Sequence, residues 1–107
     1  MSKPTIVVPP CRGRRAALIH WTRSMAKALA PERIRVNAVA PRIIRTRLWE
    51  RLQPDDDAYR AMIGEVMPMG EDQKASDVAD AVAFLCSDRA RQITGEVIRI
   101  DGGCTLG

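Results

Sequence analysis

Four groups of residues have types and spacings that could do chemistry. The first is a thiol among cations, because Cys11 is followed by Arg12, Arg14 and Arg15. Nearby positive charge stabilises a thiolate and lowers the pKa of a thiol, so this pattern is typical of a reactive cysteine. A cysteine with no chemical role fits the same four residues, and both interpretations stay open.

The second and third groups each have a catalytic or binding interpretation and a structural one. His20 and Ser24 are four positions apart and would share one face of a helix. With an acid such as Glu50 or Asp101 they could imitate a hydrolase triad, or they are a surface histidine and a packing serine. The run of three aspartates at 55–57 could bind a hard cation, but a helix cap is the favoured interpretation.

The fourth group is the densest basic one, where Arg42, Arg45 and Arg47 surround Thr46 directly after an apolar strand pattern. Ligands of open α/β sheets bind beyond the carboxyl ends of the strands, which is where this group would lie. Guanidinium groups there favour an anionic or carbonyl ligand. The predicted ligand-binding residues are Pro41, Arg42, Ile44, Arg45, Thr46 and Trp49.

Methionines and large apolar side chains follow this group along the chain. Leu48, Trp49, Met62, Met67 and Met69 could line an apolar ligand pocket, since thioethers fill irregular gaps. They could equally be core or dimer contacts. Tyr59 is the only tyrosine, and partial burial is its predicted state.

The spacing of apolar residues predicts the elements that position these groups. Strands are predicted at 5–8, 34–40 and 96–101, and helices at 12–30, 46–52, from 54 to 66 and from 76 to 85. Ser76 is the predicted N-cap of the last helix, whose apolar face is Val78, Ala81, Val82, Phe84 and Leu85. The alternation predicts an α/β fold with a parallel sheet of about three strands and flanking helices.

Length and composition limit the class of protein. A chain of 107 residues fits one domain over residues 1–107 and is too short for a complete dinucleotide-binding dehydrogenase. Residues 1–51 hold twelve Lys or Arg and two acids, whereas residues 52–107 hold five and eleven. The basic half could signal nucleic acid, but the chain has no basic tail or finger spacing, so no nucleic-acid partner is expected.

Cysteine usage and hydropathy indicate the compartment. Cys11, Cys86 and Cys104 are odd in number and lack the paired spacing of a metal site, so no metal and no disulfide framework are predicted. The segment 1–10 lacks the apolar core of a signal peptide, and no run approaches the roughly 18 apolar residues of a membrane span. A reduced, cytoplasmic protein without a membrane partner is the expectation.

Three segments resemble one family in order and spacing. They are residues 33–41 (RIRVNAVAP) with Thr46, residues 16–26 (AALIHWTRSMA), and residues 77–103, with ITGE at 93–96 and DGG at 101–103. Together they resemble the C-terminal half of a short-chain dehydrogenase/reductase. The resemblance implies a truncated Rossmann-like sheet and an oxidoreductase ancestry. It also implies assembly through the helix at residues 12–30 and through the last helix and strand.

Four departures from the family pattern bear on function. The resemblance places the catalytic Tyr and Lys at Cys11 and Arg15. It also implies a glycine directly after Pro41, in the loop against which the nicotinamide lies, and this chain has Arg42 there. The loop that carries the catalytic serine and the glycine-rich nucleotide loop of the family are both missing from these 107 residues. No cofactor is therefore expected, although the family uses NAD(P).

The functional prediction follows from both the match and the departures. An autonomous NAD(P)-dependent reductase is not expected, and whether any reaction is catalysed stays open. The prediction is a small-molecule-binding protein or non-redox enzyme that acts as a homo-oligomer. The alternatives are an oligomerisation or regulatory subunit of a full-length reductase, and a residual oxidoreductase completed by a partner chain.

Overall fold

A computed structural model describes residues 6–7 and 15–106, with residues 6, 7 and 15 described by their backbone alone. The strands are β1 (Ile6–Val7), β2 (Ala38–Pro41) and β3 (Val97–Ile100). The helices are α1 (Arg15–Leu29), α2 (Arg47–Leu52), α3 (Asp56–Val66) and α4 (Ala75–Cys86), with 3-10 turns at Ala30–Glu32 and Asp88–Ala90. Strands and helices alternate along the chain, as the apolar spacing predicts.

The three strands form one parallel sheet in the order β1-β2-β3. Ala38 pairs with Ile6 on one side and with Val97 on the other, so β2 is central. Ala38 and Val39 are fully buried, because a central parallel strand is covered on both faces. The predicted α/β class with a three-stranded parallel sheet is confirmed.

The strand predicted over 34–40 is shorter in the structure, and side-chain hydrogen bonds help to hold its first half. The Asn37 amide donates to the Ile93 carbonyl at 2.9 Å, and its Oδ1 accepts from the Glu96 N–H at 3.1 Å. These bonds tie the entrance of β2 to the loop before β3. Pro41 is the last residue of β2 rather than the residue that stops it, because the final strand position needs no further ladder donor.

Helix α1 buries a different face from its most apolar one. The large apolar side chains of α1, at Leu18, Trp21, Met25 and Leu29, stay partly accessible, and Trp21 is 44% exposed. Thr22 and Ala26 are buried instead. Ala26 lies where a side chain on Gly95 would contact its Cβ at 3.4 Å, so small residues let α1 approach the loop before β3.

Two details of α4 differ from the prediction. The helix begins at Ala75, and the Asp77 carboxylate accepts from the Lys74 N–H at 2.8 Å, so Asp77 and not Ser76 satisfies the helix start. Leu85 is buried as predicted, but Phe84 is 45% exposed because it lies one position off the buried stripe. Among residues 6–7 and 15–106, no helix is long and apolar enough to cross a membrane.

Candidate functional site

The loop of residues 42–46 leaves the carboxyl end of β2 and enters α2. The Arg42 N–H donates to the Ile100 carbonyl at 3.1 Å and to Gln73 Oε1 at 3.2 Å. The Gln73 N–H donates to the Ile43 carbonyl at 3.2 Å, and its side-chain amide donates to Ile100. One buried amide therefore joins this loop, the end of β3 and the segment before α4.

Gln73 is a positioning residue that the sequence does not reveal. It lies outside every periodic apolar segment and has no charge, so nothing in its neighbourhood indicates burial. In the structure it is 7% exposed, and Ile44 forms a parallel bridge with it. Leaving its amide unsatisfied would cost about 1–3 kcal/mol, which explains why both ends are bonded.

Ile43 has a left-handed backbone, with φ of 49°. This conformation costs roughly 1–2 kcal/mol for a residue with a Cβ, and a β-branched side chain makes it less favourable. Ile43 is held by its carbonyl bond to Gln73 and by packing of its side chain against the buried residues Tyr59, Ile63 and Met67. Strain of this kind is concentrated at binding and catalytic sites in proteins.

The buried side chains Tyr59, Ile63 and Met67 form what we call the α3 cluster. The Trp49 and Tyr59 rings meet edge to face, with centroids 6.2 Å apart. The cluster thus joins α2 and α3 to Ile43 and Cys104, which follow β2 and β3 along the chain. Four partly accessible side chains pack against it, namely Ile43, Trp49, Met62 and Cys104.

Tyr59 is the polar centre of the α3 cluster. It is 2% exposed, so it is more deeply buried than the predicted partial burial, and its hydroxyl donates to Asp72 Oδ2 at 2.9 Å. Burial, the hydrogen bond to Asp72 and the charge of Asp72 raise the pKa of Tyr59 to about 12, against the opposing charge of Arg45. Tyr59 is therefore a neutral hydrogen-bond donor at ordinary pH.

Arg45 is engaged with protein groups on two sides. Its guanidinium carbon lies 4.5 Å from the centroid of the Tyr59 ring, and Nη2 pairs with Asp56. The hydrogen bond from Arg45 and its charge hold the pKa of the Asp56 carboxyl below its usual range. Arg42 differs, because its partly buried side chain has no hydrogen bond or ion pair to the described residues.

The other predicted ligand-binding residues lie along the same loop and helix. Pro41 and Ile44 are half-buried, Thr46 is exposed at the start of α2, and Trp49 is half-buried against Tyr59.

Cys11 and Arg15, the positions that the resemblance assigns to the family's Tyr and Lys, lie at or beyond the limit of the described side chains. Cys11 lies outside the described residues, and only the backbone of Arg15 is described. Their suggested chemical roles therefore stay predictions.

The remaining chemical candidates are exposed or have structural roles. His20 and Ser24 are both exposed, with no hydrogen bond between them in the described part of the chain. Asp55 Oδ1 accepts from the Asp57 N–H at 2.9 Å and from the Ala58 N–H at 3.3 Å, so it caps α3, which is the favoured interpretation of the aspartate run. Residues 16–106 contain no group of acids, histidines and cysteines suited to a metal ion.

Asp101 also has a structural role. It is buried after β3 and accepts from the Gly103 N–H at 3.0 Å and from the Thr105 hydroxyl. Although burial alone raises it, the bonds from Thr105 and Gly103 hold the pKa of Asp101 below its usual range. Both of its carboxylate oxygens accept hydrogen bonds within this turn.

Comparison with known proteins assigns the family. The family model described as "Enoyl-(Acyl carrier protein) reductase" matches residues 11–105. The chain belongs to the short-chain dehydrogenase/reductase family. This agrees with the predicted resemblance and with its order of strands and helices.

Three members of the family illustrate the similarity. The 3-oxoacyl-[acyl-carrier-protein] reductase FabG of Aquifex aeolicus is 43% identical over 89 residues, which are 83% of this chain and 35% of that protein. L-xylulose reductase of Bos taurus is 36% identical over 89 residues, 83% of this chain and 36% of that protein. The structure "4-hydroxyisoleucine dehydrogenase complexed with NADH" superposes with a TM-score of 0.84 at 31% identity, covering 98% of this chain and 48% of that one.

Coverage of these short-chain dehydrogenases/reductases is partial. The chain spans about a third of the length of the curated relatives and about half of the solved structure. The similarity therefore shows the family and the fold of the matched segment.

Proposed function

We propose that these 107 residues bind a small molecule with an anionic or carbonyl head and an apolar chain, and do not carry out NAD(P)-dependent reduction by themselves. The site comprises Pro41, Arg42, Ile44, Arg45, Thr46 and Trp49 at the carboxyl edge of the sheet. The observation that carries the proposal is the contrast between Arg45, which is paired, and Arg42, whose side chain has no partner among the described residues.

Arg42 is the proposed anchor for the head group. A guanidinium forms charge-assisted hydrogen bonds to a carboxylate, which are about twice as strong as neutral ones. Its backbone is fixed by Ile100 and Gln73, and the strained Ile43 follows directly. Arg45 is proposed to act indirectly, since its stacking on Tyr59 holds the wall of the site in place.

Apolar side chains beside the α3 cluster support the proposed chain-binding surface. Trp49 and Ile43 stay partly accessible while packing on Tyr59. Leu48 and Leu52, on the same short helix as Trp49, are 61% and 62% exposed. The names of relatives that act on 3-oxoacyl groups point to an acyl chain as the occupant.

Three features argue against reduction by these residues alone. The only tyrosine, Tyr59, has its pKa raised to about 12, whereas a phenol that exchanges a proton near neutral pH needs it lowered. No GxxxGxG loop occurs in the 107 residues. The resemblance implies a glycine where Arg42 stands, and the long side chain of Arg42 would crowd a nicotinamide ring at this loop.

A fluorescence titration tests the proposed ligand site. In a Trp21→Phe background, Trp49 is the only tryptophan and reports on the site. We expect saturable quenching or enhancement by octanoate, and binding about tenfold weaker after Arg42→Gln, because one charge-assisted bond is lost. Neutral 1-octanol should bind both proteins equally.

Arg51→Gln is the matched control. Arg51 is exposed in the last turn of α2, so its substitution removes the same charge without altering the loop. It should leave octanoate affinity within about twofold of the parent. Equal weakening by Arg42→Gln and Arg51→Gln, or no saturable response to octanoate, contradicts the proposal.

A second candidate function is that of an oligomerisation or regulatory subunit. The exposed Trp21 on α1 and Phe84 on α4 favour it, since each leaves an aromatic face uncovered. We propose a homo-oligomer on this ground, with a full-length reductase as an alternative partner. Residues 1–107 are proposed to act as one domain, in the cytoplasm, where the free thiols of Cys86 and Cys104 would persist.

The third candidate function is that of an oxidoreductase completed by a partner chain. Titration of NADH against this chain by nucleotide fluorescence separates it from the main proposal. We expect no saturable binding in the low-micromolar range, because the phosphate-binding loop of the family is not among these residues. Saturable binding at that level would overturn the expectation.

A further inference from the structure

A cavity of about 650 Å³ opens at the other edge of the sheet from the proposed ligand site. Its lining comes from residues that precede β2, such as Arg33 and Arg35, and from residues that precede β3, such as Thr94. Because the strands are parallel, this is their amino-terminal edge. The volume lies in the range of roughly 300–1,000 Å³ that small-molecule pockets occupy.

Three arginines make the cavity basic. Arg33, Arg35 and Arg91 line it together with one carboxylate, that of Asp88. These four charges sum to +2. Such a balance in a concave site favours a small anion over a flat protein partner.

Arg35 is the fixed part of this lining. It is 8% exposed, and its Nη1 and Nη2 donate to the carbonyls of Ile93 and Ser87 at 3.2 and 3.3 Å. Two of the five N–H bonds of a guanidinium are used in this way, and carbonyl acceptors leave its positive charge in place. The cavity therefore has a rigid cation in its wall.

Thr94 adds a neutral donor. Its Oγ1 accepts from the Val36 N–H at 3.1 Å, which leaves the hydroxyl proton available to a ligand. Gln92 in the same wall carries two further amide donors. Donors thus outnumber acceptors around the cavity.

Arg33 occupies a backbone conformation that disfavours it. Its φ is 60°, in the left-handed region where glycine is the easiest residue, and it ends the 3-10 turn Ala30–Glu32. Despite this unfavourable backbone conformation, the residue here is an arginine, and its cationic side chain lines the cavity. A strained residue kept at a pocket is an observation from which a binding role can be inferred.

We propose that this cavity binds a small phosphate-bearing anion, with Arg33, Arg35, Arg91 and Thr94 as its donors. Three guanidinium groups suit tetrahedral phosphate groups, which accept several charge-assisted hydrogen bonds at once. The volume accommodates a ligand larger than a single phosphate. The inference is independent of the proposed ligand at Arg42, since no residue is shared.

Calorimetric titration with inorganic pyrophosphate tests this site. We expect saturable binding that weakens about tenfold with Arg91→Gln and with Arg33→Gly, one charge-assisted contact being lost in each. Arg33→Gly should at the same time leave the thermal unfolding midpoint unchanged or raised, because glycine relieves the left-handed backbone. A purely structural role of Arg33 would not give weaker binding with equal or greater stability.

Arg89→Gln is the matched control, since Arg89 is exposed in the neighbouring turn and does not line the cavity. It should change pyrophosphate affinity by less than about twofold. Absence of saturable binding, or equal weakening by all three variants, overturns the proposal. Tighter binding of citrate than of pyrophosphate would overturn the phosphate assignment and assign the cavity to carboxylates.

Discussion

The surroundings of Tyr59 do not suit a tyrosine that donates a proton to a substrate carbonyl. It is the only phenol in the chain, and a proton donor to a carbonyl is what a reductase of this family would require of one. Its hydroxyl is instead committed to Asp72 in a buried position. With its pKa raised to about 12, the hydroxyl stays protonated near neutral pH and serves as a donor to Asp72.

The burial of Tyr59 predicts that its hydroxyl titrates at a higher pH in the folded protein than in the unfolded one. Tyrosinate absorbance should appear with a midpoint near pH 12 in the folded protein and near the ordinary value of about 10 in urea. A raised pKa in the folded state means that the neutral form is favoured there. Its contribution to stability is therefore complete below pH 10 and is lost as the pH rises from about 10 to 12.

Asp72→Asn separates the charge of Asp72 from the burial of the ring as causes of the raised pKa. The variant removes the negative charge beside the hydroxyl but leaves the ring buried, so the midpoint should fall part of the way toward 10. Glu71→Gln, at an exposed neighbouring position, is the control and should leave it near 12. A midpoint of about 10 in the folded parent would show that Tyr59 is not held as described.

The basic residues show what sequence alone can and cannot predict of the site. The position of the basic group at the end of β2 follows from the strand pattern, which puts Arg42 and Arg45 in one loop. Their different roles do not follow, because pairing of Arg45 with Asp56 depends on how α3 packs. Gln73 escapes prediction for the same reason, since its partners are 31 and 27 residues away.

At the scale of elements, the N-terminus of α3 controls the wall of the proposed site. Asp55→Ala removes a side chain that accepts from two orphan N–H groups of that helix. We expect a loss of about 1 kcal/mol in the free energy of unfolding, measured by urea denaturation. Near-ultraviolet circular dichroism should weaken together with it, because α3 carries Tyr59 against Trp49.

Asp57→Ala is the comparison for that variant. It removes the same charge from the first turn but no capping bond, so only the interaction with the helix dipole is lost. The expected cost is about 0.3–0.5 kcal/mol. Equal losses for the two variants would mean that charge, and not the cap, stabilises α3.

The elements are predicted well where local signals are strong. The aspartate run that begins α3 and the apolar spacing of Tyr59 and Ile63 predict a helix from residue 54, two residues before its start at Asp56. A prediction that rests on one residue is less reliable. Ser76 has the side chain of a typical N-cap, but the Asp77 carboxylate, inside α4, makes the hydrogen bond at the start of the helix. The buried face of α1 is not predictable from its own sequence, since small residues there meet a loop distant along the chain.

At the scale of the whole molecule, the uncovered apolar side chains predict self-association. Burying Trp21 and Phe84 between subunits would remove aromatic surface that is now 44% and 45% exposed. Light scattering coupled to size exclusion should give a mass of at least twice 11.9 kDa at about 100 μM, a concentration at which weak complexes form.

Trp21→Glu should shift that equilibrium toward the monomer, because a charge would be buried in the interface. Arg23→Glu, also on an exposed part of α1, matches it as a control in which no apolar contact is removed. A monomer at all concentrations in the parent protein contradicts self-association and favours a different partner.

Amide chemical shifts during an octanoate titration test the central claim most directly. Binding at the carboxyl edge should move the backbone signals of Arg42, Ile43 and Ile44 and the indole signal of Trp49, in proportion to saturation. Signals around Arg33 at the opposite edge should stay unchanged. Shifts that cluster away from residues 41–49, or that increase linearly without saturation, would contradict a ligand site at the end of β2.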